Sequence, residues 1–334
     1  MRLRPICLCT SIFGVLTACS ALSEDTAAAR SARPLLRAQA PGFYRMALGD
    51  FVITALSDGT VSLPLDKLLN NTTPEHIEAL MARSFQTLSA EISINAYLID
   101  TGSRVVLVDT GAGELFAPRA GGELFTNLHA AGYRPEDIDD VLLTHVHADH
   151  SGGLVVGGKM MLPNSLIHVH QAELDYWFDV QAEDRAPAHQ KHSFPQGRAS
   201  MVPYQIAGKV RPFKGAIELM PGIRTVEAPG HTPGHTFYSV ESAGHKLVIW
   251  GDTVHCAPVQ LPDPSVTIQF DSDAKRARAQ REATLSDAAE QRYTVAAAHI
   301  SFPGLGHVRR RGNGYEWVPQ AYGTTLALSQ ADCR

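Results

Sequence analysis

The sequence predicts an α/β (α+β) protein in which two sheets pack face to face and helices cover them. Three observations support this fold class. Short apolar runs typical of strands follow one another along the chain, helical segments lie between some of them, and no break in composition marks a second domain. Because each sheet must bury an apolar face against another layer, this series of elements favours stacked sheets under helices.

Three short strands open the predicted domain, which spans residues 43–334. The pairs Gly49-Asp50 and Asp58-Gly59 are typical of tight turns, and they separate strands predicted at residues 44–48, 51–56 and 60–63. A helix then begins with Thr73 as its cap and Pro74 in its first turn, and it is expected to run to about Phe85.

A hairpin and a second helix come next, followed by more strands. Residues 100–103, which include Gly102, join the apolar runs 92–99 and 104–108 as in a hairpin. Gly132 is placed to end a helix over residues 123–131. Further apolar runs predict strands at 141–143, 166–170, 223–227, 236–240, 247–250 and 295–298, and helices are expected at 172–178 and 274–290. The Pro/His-rich residues 181–203 predict irregular surface chain.

The composition is globular and excludes several classes of function. Of the 334 residues, 44% are hydrophobic and 19% are charged, as in ordinary folded proteins. No apolar stretch is long enough for a mature helix to span a bilayer. The net charge of -5 and the absence of a long basic run argue against nucleic acid as a partner.

The N-terminal residues have the layout of a secretory signal. Arg2 and Arg4 precede an apolar run over residues 6–16, and small residues follow. The sequence Leu16-Thr17-Ala18-Cys19 resembles a bacterial lipobox, so residues 1–18 are expected to be removed as a lipoprotein signal peptide, with a linker over 19–42. The protein is then exported, and it is periplasmic or anchored to the envelope through a lipid on Cys19. Plain cleavage a few residues later is the alternative.

The segment from Thr144 to Gly153 carries the clearest chemical signal. Its histidines His145 and His147 are two residues apart after a buried strand, so in extended chain they point the same way and can hold one ion. Asp149 and His150 follow where the chain turns and can reach a second ion. Imidazole with carboxylate suits zinc and similar divalent ions.

Three further candidate ligands each follow a predicted strand: His231, Asp252 and His299. Loops on strand ends often carry function because the sheet holds them rigidly. Each residue alone has an alternative interpretation as a loop cap or a polar core group. Together with the histidine-rich segment, they complete two ligand sets.

The pattern His-x-His-x-Asp-His, followed by a lone His, an Asp and a His in this order, resembles the metallo-β-lactamase superfamily. Residues 94–100 and 105–111 also resemble the early hairpin and the Asp-Thr-Gly turn of that fold. The resemblance covers residue 43 to the C-terminus and implies a four-layer αββα sandwich with two divalent ions, expected to be Zn²⁺. It implies that Asp252 bridges them, that one ion binds His145, His147 and His231, and that the other binds Asp149, His150 and His299.

The chain most resembles methyl parathion hydrolase and its lactonase and aryl-esterase (dihydrocoumarin hydrolase-like) relatives. The leader, the chain length and residues 268–273 and 297–304 carry this resemblance. It implies a homodimer with an aromatic substrate cleft, for which the candidates are Phe116, Trp177, Phe194, His255 and Phe270. Trp177 and Phe194 are favoured because one precedes residues 181–203 and the other lies within them, although aromatic rings are more often core.

Two adjacent cations lower the pKa of a water held between them, and this water is the expected nucleophile, with Asp149 and Asp252 as catalytic residues. We expect hydrolysis of lactones or aryl esters, with weaker hydrolysis of aryl phosphotriesters. Lactam hydrolysis is disfavoured because true β-lactamases commonly have Cys at the position of Asp252. The alternatives are a phosphotriesterase, a glyoxalase II, whose basic clamp would have to be Arg309-Arg310-Arg311, and a non-catalytic zinc-binding module.

Overall fold

A computed structural model gives the structure of the protein and describes residues 35, 39–116 and 120–326. The expected signal peptide, Cys19 and residues 19–34 of the expected linker lie outside the described residues. All secondary structure described below lies in the unit Pro41–Arg334. In the part of the chain that the structure describes, no helix combines the length and the apolar character needed to cross a membrane.

The described strands form two large sheets and two short ribbons. In chain order the strands are β1 (Phe43–Leu48), β2 (Phe51–Pro64), β3 (Leu69–Asn70), β4 (Ser89–Asp100), β5 (Val105–Val108), β6 (Asp140–Leu142), β7 (Val155–Val156), β8 (Lys159–Met160), β9 (Leu166–His170), β10 (Val210–Phe213), β11 (Glu218–Met220), β12 (Ile223–Glu227), β13 (Thr236–Ser242), β14 (His245–Ile249), β15 (Thr267–Ile268), β16 (Thr294–Ala296), β17 (Leu305–Arg311) and β18 (Gly314–Pro319).

Sheet one has the order β1-β2-β4-β5-β6-β9-β10, and sheet two has the order β11-β12-β13-β14-β16-β17-β18. In sheet one, β5, β6, β9 and β10 run parallel. In sheet two, β14 and β16 are parallel, and β12 points the same way because it is antiparallel to β13, which is antiparallel to β14. The carboxyl ends of β12, β14 and β16 therefore lie at one edge of sheet two.

The described helices are mostly short. They are α1 (Leu65–Leu68), α2 (Pro74–Ala82), α3 (Leu124–Ala130), α4 (Ala148–Ser151), α5 (Gln171–Trp177), α6 (Val180–Arg185), α7 (Ser193–Ile206), α8 (Ala257–Gln260) and α9 (Ala274–Gln291), with 3-10 turns at Pro135–Asp137, Gly152–Leu154 and Gly251–Thr253.

Alternation along the strands builds the layers. On β5, Val106 and Val108 join the cluster between the two sheets, whereas Leu107 points the other way, towards α3 and α7. This is the two-residue period of a strand that is buried on both faces. The outer face of sheet two packs on α9 through Leu285 and Ala288. The order helix, sheet, sheet, helix confirms the predicted αββα sandwich.

Two predictions of local structure are wrong, each because of distant contacts. The turn expected at Asp58-Gly59 is instead an irregularity within β2, which continues to Pro64. The Asp58 side chain is buried and accepts hydrogen bonds from the backbone N–H groups of Ala112, Gly122 and Leu124, so it is held inside rather than at a surface turn.

Residues 181–203 are not irregular, since α6 and most of α7 lie there. Pro195 occupies the first turn of α7, where a missing N–H costs nothing, and α7 buries Phe194, Met201 and Tyr204. Sequence reasoning also missed four strands of the two large sheets, β10, β11, β17 and β18, and the short strands of both ribbons. The triplet Arg309-Arg310-Arg311 lies on β17.

Candidate metal centre

All seven residues predicted as metal ligands come together where strands of the two sheets end. His145 and His147 follow β6, and Asp149 and His150 lie on the short helix α4. His231, Asp252 and His299 follow β12, β14 and β16 of sheet two. The parallel direction of those three strands brings their ends to one edge, which explains why residues far apart in sequence meet.

One group of ligand atoms belongs to His145, His147, His231 and Asp252, and all four atoms lie within 4.8 Å of one another. His147 Nδ1 lies 3.0 Å from both His145 Nε2 and His231 Nε2. Asp252 Oδ2 lies 3.2 Å from His231 Nε2 and 3.7 Å from His145 Nε2. Three imidazole nitrogens and one carboxylate oxygen thus converge on one point.

The second group contains Asp149, His150 and His299 and meets the other oxygen of Asp252. Asp252 Oδ1 lies 3.0 Å from His150 Nε2 and 3.1 Å from His299 Nε2. Asp149 Oδ2 lies 3.7 Å and 3.5 Å from the same two nitrogens. The two oxygens of one buried carboxylate therefore face two separate ligand groups.

The chemistry of these atoms fits a pair of cations. His150 Nε2 and Asp252 Oδ1 are buried and lie 3.0 Å apart, yet neither forms a hydrogen bond with any described residue, including the other. An unpartnered buried polar atom costs free energy, which a bound cation would recover. Imidazole nitrogen with carboxylate oxygen is the donor set of zinc and other borderline divalent ions.

Neighbouring acceptors fix the orientation of four of the imidazole rings. His145 Nδ1 lies 3.0 Å from Thr144 Oγ1, and His150 Nδ1 lies 2.8 Å from Asp109. His231 Nδ1 lies 2.9 Å from Asp271, and His299 Nδ1 lies 2.9 Å from the Ser93 carbonyl. A ring held in this way presents its Nε2 lone pair to the centre.

Burial and neighbouring carboxylates shift the pKa values of the histidines in opposite directions. Burial alone lowers the pKa of His231, but hydrogen bonds to Asp252 and Asp271 raise it to about 9. Burial also lowers the pKa of His145 and His147, and it leaves both well below the ordinary value. In the metal-free protein His231 therefore holds a proton that a metal ion must displace, whereas His145 and His147 are ready to bind.

His235 holds the backbone of Asp252. Its Nε2 accepts the Asp252 N–H at 3.0 Å, and its Nδ1 lies 3.2 Å from the Ala228 carbonyl. Burial lowers the pKa of His235 to about 3, so the ring stays neutral and its Nε2 stays an acceptor. Gly251 has a φ of +51°, and a Cβ there would lie 2.5 Å from His235 Nε2.

A cavity of about 60 Å³ adjoins both ligand groups. Three of the predicted substrate-binding residues line it: Phe116, His255 and Phe270. His255 Nε2 also lies 3.0 Å from Asp252 Oδ2. Four of the candidate metal ligands line the same cavity, so a bound molecule would meet them directly: His147, Asp149, Asp252 and His299.

Trp177 and Phe194 do not line this cavity. Their side chains are 3% and 0% exposed and pack on each other in the core between sheet one and the helices, with ring centroids 4.9 Å apart. The expected surface loop is helical, and α7 buries Phe194, while Trp177 is buried at the end of α5, which corrects their expected role. Trp177 instead packs against the ring of His147, centroid to centroid 5.2 Å.

An αββα sandwich with two histidine and aspartate groups at the strand ends defines a class of metal-binding protein. The sequence profile of the metallo-β-lactamase superfamily matches residues 90–299, more than half of the chain. The chain therefore belongs to the metallo-β-lactamase superfamily.

Solved structures agree with this assignment. The hydrolase AbOPH of the beta lactamase superfamily is 31% identical, with a TM-score of 0.81, over 86% of this chain and 100% of that one. AidC, a dizinc quorum-quenching lactonase, is 27% identical, with a TM-score of 0.79, over 85% and 99% of the two chains. An N-acyl homoserine lactonase from a Bacillus species is 30% identical over 115 residues, and the match spans 34% of this chain and 38% of that relative.

Sequence reasoning gave no role in the site to four residues that hold it together: Asp109, Glu173, His235 and Asp271. Two of them had a visible signal, because Asp109 belongs to the Asp-Thr-Gly turn and Asp271 to the segment 268–273. Glu173 lies on α5 and His235 in the loop before β13, and only the fold shows what they contact.

Proposed function

We propose that the protein is a binuclear metal-dependent hydrolase that acts on lactones or aryl esters. One observation carries this proposal: the two oxygens of the buried Asp252 face two separate groups of ligand atoms. A structural zinc site is closed by four protein ligands around one ion. Two groups that share a carboxylate beside a cavity leave positions for water and substrate.

Zn²⁺ is the metal that we propose, since the donors are imidazole and carboxylate. When bound, the two ions would supply a water that ionises near neutral pH as the nucleophile, and would polarise the carbonyl oxygen of the substrate. Asp252 would fix the distance between the two ion positions because its carboxylate is only 3% exposed and contacts both ligand groups.

Asp149 is the second residue to which we give a catalytic role. Its side chain is 12% exposed, more than that of Asp252, and it lines the cavity. It is placed to take a proton from the attacking water and to return it to the leaving group. A phenolate leaving group, with a pKa of about 10, needs no strong acid to depart.

The walls of the cavity favour flat substrates. Phe116 and Phe270 face the same space as the ligand groups, and aromatic rings bind planar groups by stacking. The lactonases among the relatives support a lactone substrate for this chain. We place the chain near methyl parathion hydrolase, with phosphotriester hydrolysis as a weaker activity, and we expect a homodimer.

A second candidate is a phosphotriesterase as the main activity. The same ligand groups and the same water serve a phosphoryl centre as well as a carbonyl centre, so chemistry does not separate the two and the shape of the cavity must. A phosphotriester is tetrahedral and carries two alkoxy arms, so it needs more room than a flat ring does in a cavity of about 60 Å³.

Metal analysis and a substrate panel test the proposal together. We expect two ions per chain, and fastest hydrolysis of an aromatic or acyl-homoserine lactone or of an aryl acetate. An aryl phosphotriester and a glutathione thioester complete the panel. A chain with one tight ion and no activity on any of the five would instead be a zinc-binding module. A marked preference for the phosphotriester would favour the second candidate.

A further inference from the structure

A buried glutamate outside both ligand groups contacts the two loops that supply three of their histidines. Glu173 lies on α5, and its side chain is fully buried. Its three hydrogen-bond donors are all uncharged groups: the backbone N–H of Val146, the backbone N–H of Gly234 and the indole N–H of Trp177. A buried carboxylate is costly unless several donors compensate it, so this arrangement calls for an explanation.

Two of these donors belong to ligand-bearing loops. Glu173 Oε2 accepts the N–H of Val146 at 2.9 Å, and Val146 lies between His145 and His147. Glu173 Oε1 accepts the N–H of Gly234 at 2.7 Å, three residues after His231. One side chain therefore connects the loop after β6 of sheet one to the loop after β12 of sheet two.

The third donor extends the same support to the ring of His147. Trp177 lies one turn beyond Glu173 on α5, and its indole N–H donates to Oε2 at 2.7 Å. The Trp177 ring packs edge to face against His147. Glu173 thus fixes the backbone beside two of the histidines and, through Trp177, the ring of one of them.

The close approach of Gly234 belongs to this arrangement. A Cβ at this position would lie 2.7 Å from the backbone nitrogen of Glu173 and 2.9 Å from its Cγ. Such distances are too short for real contacts, so a larger residue would push the loop of His231 away from α5. The absence of a side chain at Gly234 is what allows the carboxylate to reach its backbone.

We propose that Glu173 is a positioning residue for the ion that His145, His147 and His231 would hold. The inference rests on the proposed binuclear centre. Glu173 does not contact substrate or ion, and it acts by holding the two loops at the separation that the three histidines need. The other ion, near Asp149, His150 and His299, does not depend on it.

Glu173→Gln is the informative change because it keeps the size of the side chain. An amide has one accepting oxygen and one donating NH₂, so it must turn a donor towards at least one of the three N–H groups. Mutation of a group that orients a metal ligand typically lowers metal affinity by about 10- to 100-fold. We expect a loss of that size for one of the two Zn²⁺ ions.

The measurement is Zn²⁺ binding by chelator competition on the full chain, with circular dichroism as a check of folding. Asp58→Asn is the matched control, since Asp58 is also a buried carboxylate that accepts three N–H groups, none of them next to a candidate ligand. We expect Asp58→Asn to bind both ions with affinities close to those of the wild type. His299→Ala, which removes the second site, identifies the ion that is lost: alone it should hold one ion, and combined with Glu173→Gln it should hold none at the same free Zn²⁺.

Gly234→Ala disturbs the hydrogen bond between Glu173 and Gly234 at its donor, and it tests the inference if Glu173→Gln does not fold. This variant too should weaken the binding of one ion selectively. The inference is wrong if the folded variants bind both ions as the wild type does, or if both ions weaken equally in Glu173→Gln and in Asp58→Asn, which would indicate general destabilisation. A wild-type chain that binds fewer than two ions contradicts the proposed function itself, and this inference with it.

Discussion

Asp252 is the single residue through which the two ligand groups are coupled. Each of its oxygens lies 3.0 to 3.2 Å from nitrogens of a different group, as the pairs with His231 and His150 show. Its position is fixed from behind, because the neutral ring of His235 accepts its backbone N–H. The local backbone at Asp252 is not helical although it lies in a 3-10 turn, with φ −97° and ψ 46°.

Asp252→Ala should therefore weaken the binding of both ions rather than of one. The loss should exceed the roughly 10- to 100-fold that is typical of residues that only orient a ligand, since a direct donor disappears from both sites. Elemental analysis after dialysis measures it, alongside turnover of the best substrate. His245→Ala is the control, since His245 is an exposed histidine at the start of β14, the strand that precedes Asp252. Two tightly held ions and normal turnover in Asp252→Ala would refute the assignment.

Asp58 makes the stability of the fold depend on pH. Burial raises the pKa of its carboxyl from 3.8 to about 6, although three backbone N–H groups oppose the shift. The folded state therefore binds this proton more tightly than the unfolded state does, so between about pH 6 and pH 4 acidification favours folding through this group. The contribution is about 3 kcal/mol when complete, and above pH 6 it is absent.

Asp58→Asn removes that contribution. We expect the difference in unfolding free energy between wild type and variant to grow as the pH falls from 6 to 4, measured by urea unfolding at each pH. Asp184→Asn, at an exposed aspartate, is the control. A difference that stays constant with pH would show that Asp58 does not titrate in this range.

At the scale of elements, sequence patterns predicted the parts that local physics determines. The buried strands β5 and β6 are apolar on both faces, so they stand out in the sequence without knowledge of their partners. By contrast β17 carries three exposed arginines at its end and pairs with β18 through Arg309, Arg310 and Arg311, which look like a solvated loop when their partners are unknown.

The same reasoning explains which parts of the site could be predicted. Residue type and spacing mark the histidine-rich segment, because few other chemistries use that pattern. The supporting groups carry no such mark: Glu173 reaches Gly234 across 61 positions, and His235 reaches Asp252 across 17. The inward turn of Trp177 and Phe194 was missed for the same reason, since it depends on how α5 and α7 pack on sheet one.

The segment between β14 and α9 sets one wall of the cavity, and we predict that it determines substrate preference. His255 and Phe270 both line the cavity, with ring centroids 6.2 Å apart. His255→Val or Phe270→Val should widen it and raise phosphotriester hydrolysis at the expense of the lactone. Gained or lost contacts of this kind shift preference by roughly 1–3 kcal/mol, about 10- to 200-fold.

The measurement is kcat/KM for an aromatic lactone and an aryl phosphotriester on the wild type and both variants. Phe85→Val is the control, because that ring is fully exposed and does not line the cavity. A wild type that already prefers the phosphotriester would contradict this prediction. Unchanged ratios in both variants would show that the two rings serve packing only.

At the scale of the whole molecule, the first prediction concerns the N-terminus. We expect export of the chain, with cleavage before Cys19 and a lipid on its sulfur, because basic, apolar and small residues follow one another before Leu16-Thr17-Ala18-Cys19. Mass spectrometry of the N-terminal peptide from native membranes decides it. An unmodified Met1 would end the export hypothesis, and cleavage after Cys19 would end the lipid anchor. Cys19→Ser serves as the control, since it should abolish the lipid.

The two ligand groups combine residues from strand ends of both sheets, so bound metal should also act on the stability of the sandwich. His145 and His147 come from the end of a strand in sheet one, whereas His231 and Asp252 come from strand ends in sheet two. Ions that bind only the folded chain would hold these ends together and stabilise it by about 2.7 kcal/mol each at a free concentration of 100 times Kd. We therefore expect chelation to lower Tm by on the order of 10 °C, and added Zn²⁺ to restore it.

Scanning calorimetry of wild type and Asp252→Ala with and without chelator measures this change in Tm. Asp252→Ala should start lower and respond much less, because neither ion keeps its shared ligand, whereas His245→Ala should respond as the wild type does. An equal response in Asp252→Ala would mean that metal stabilises the chain somewhere other than at these two ligand groups.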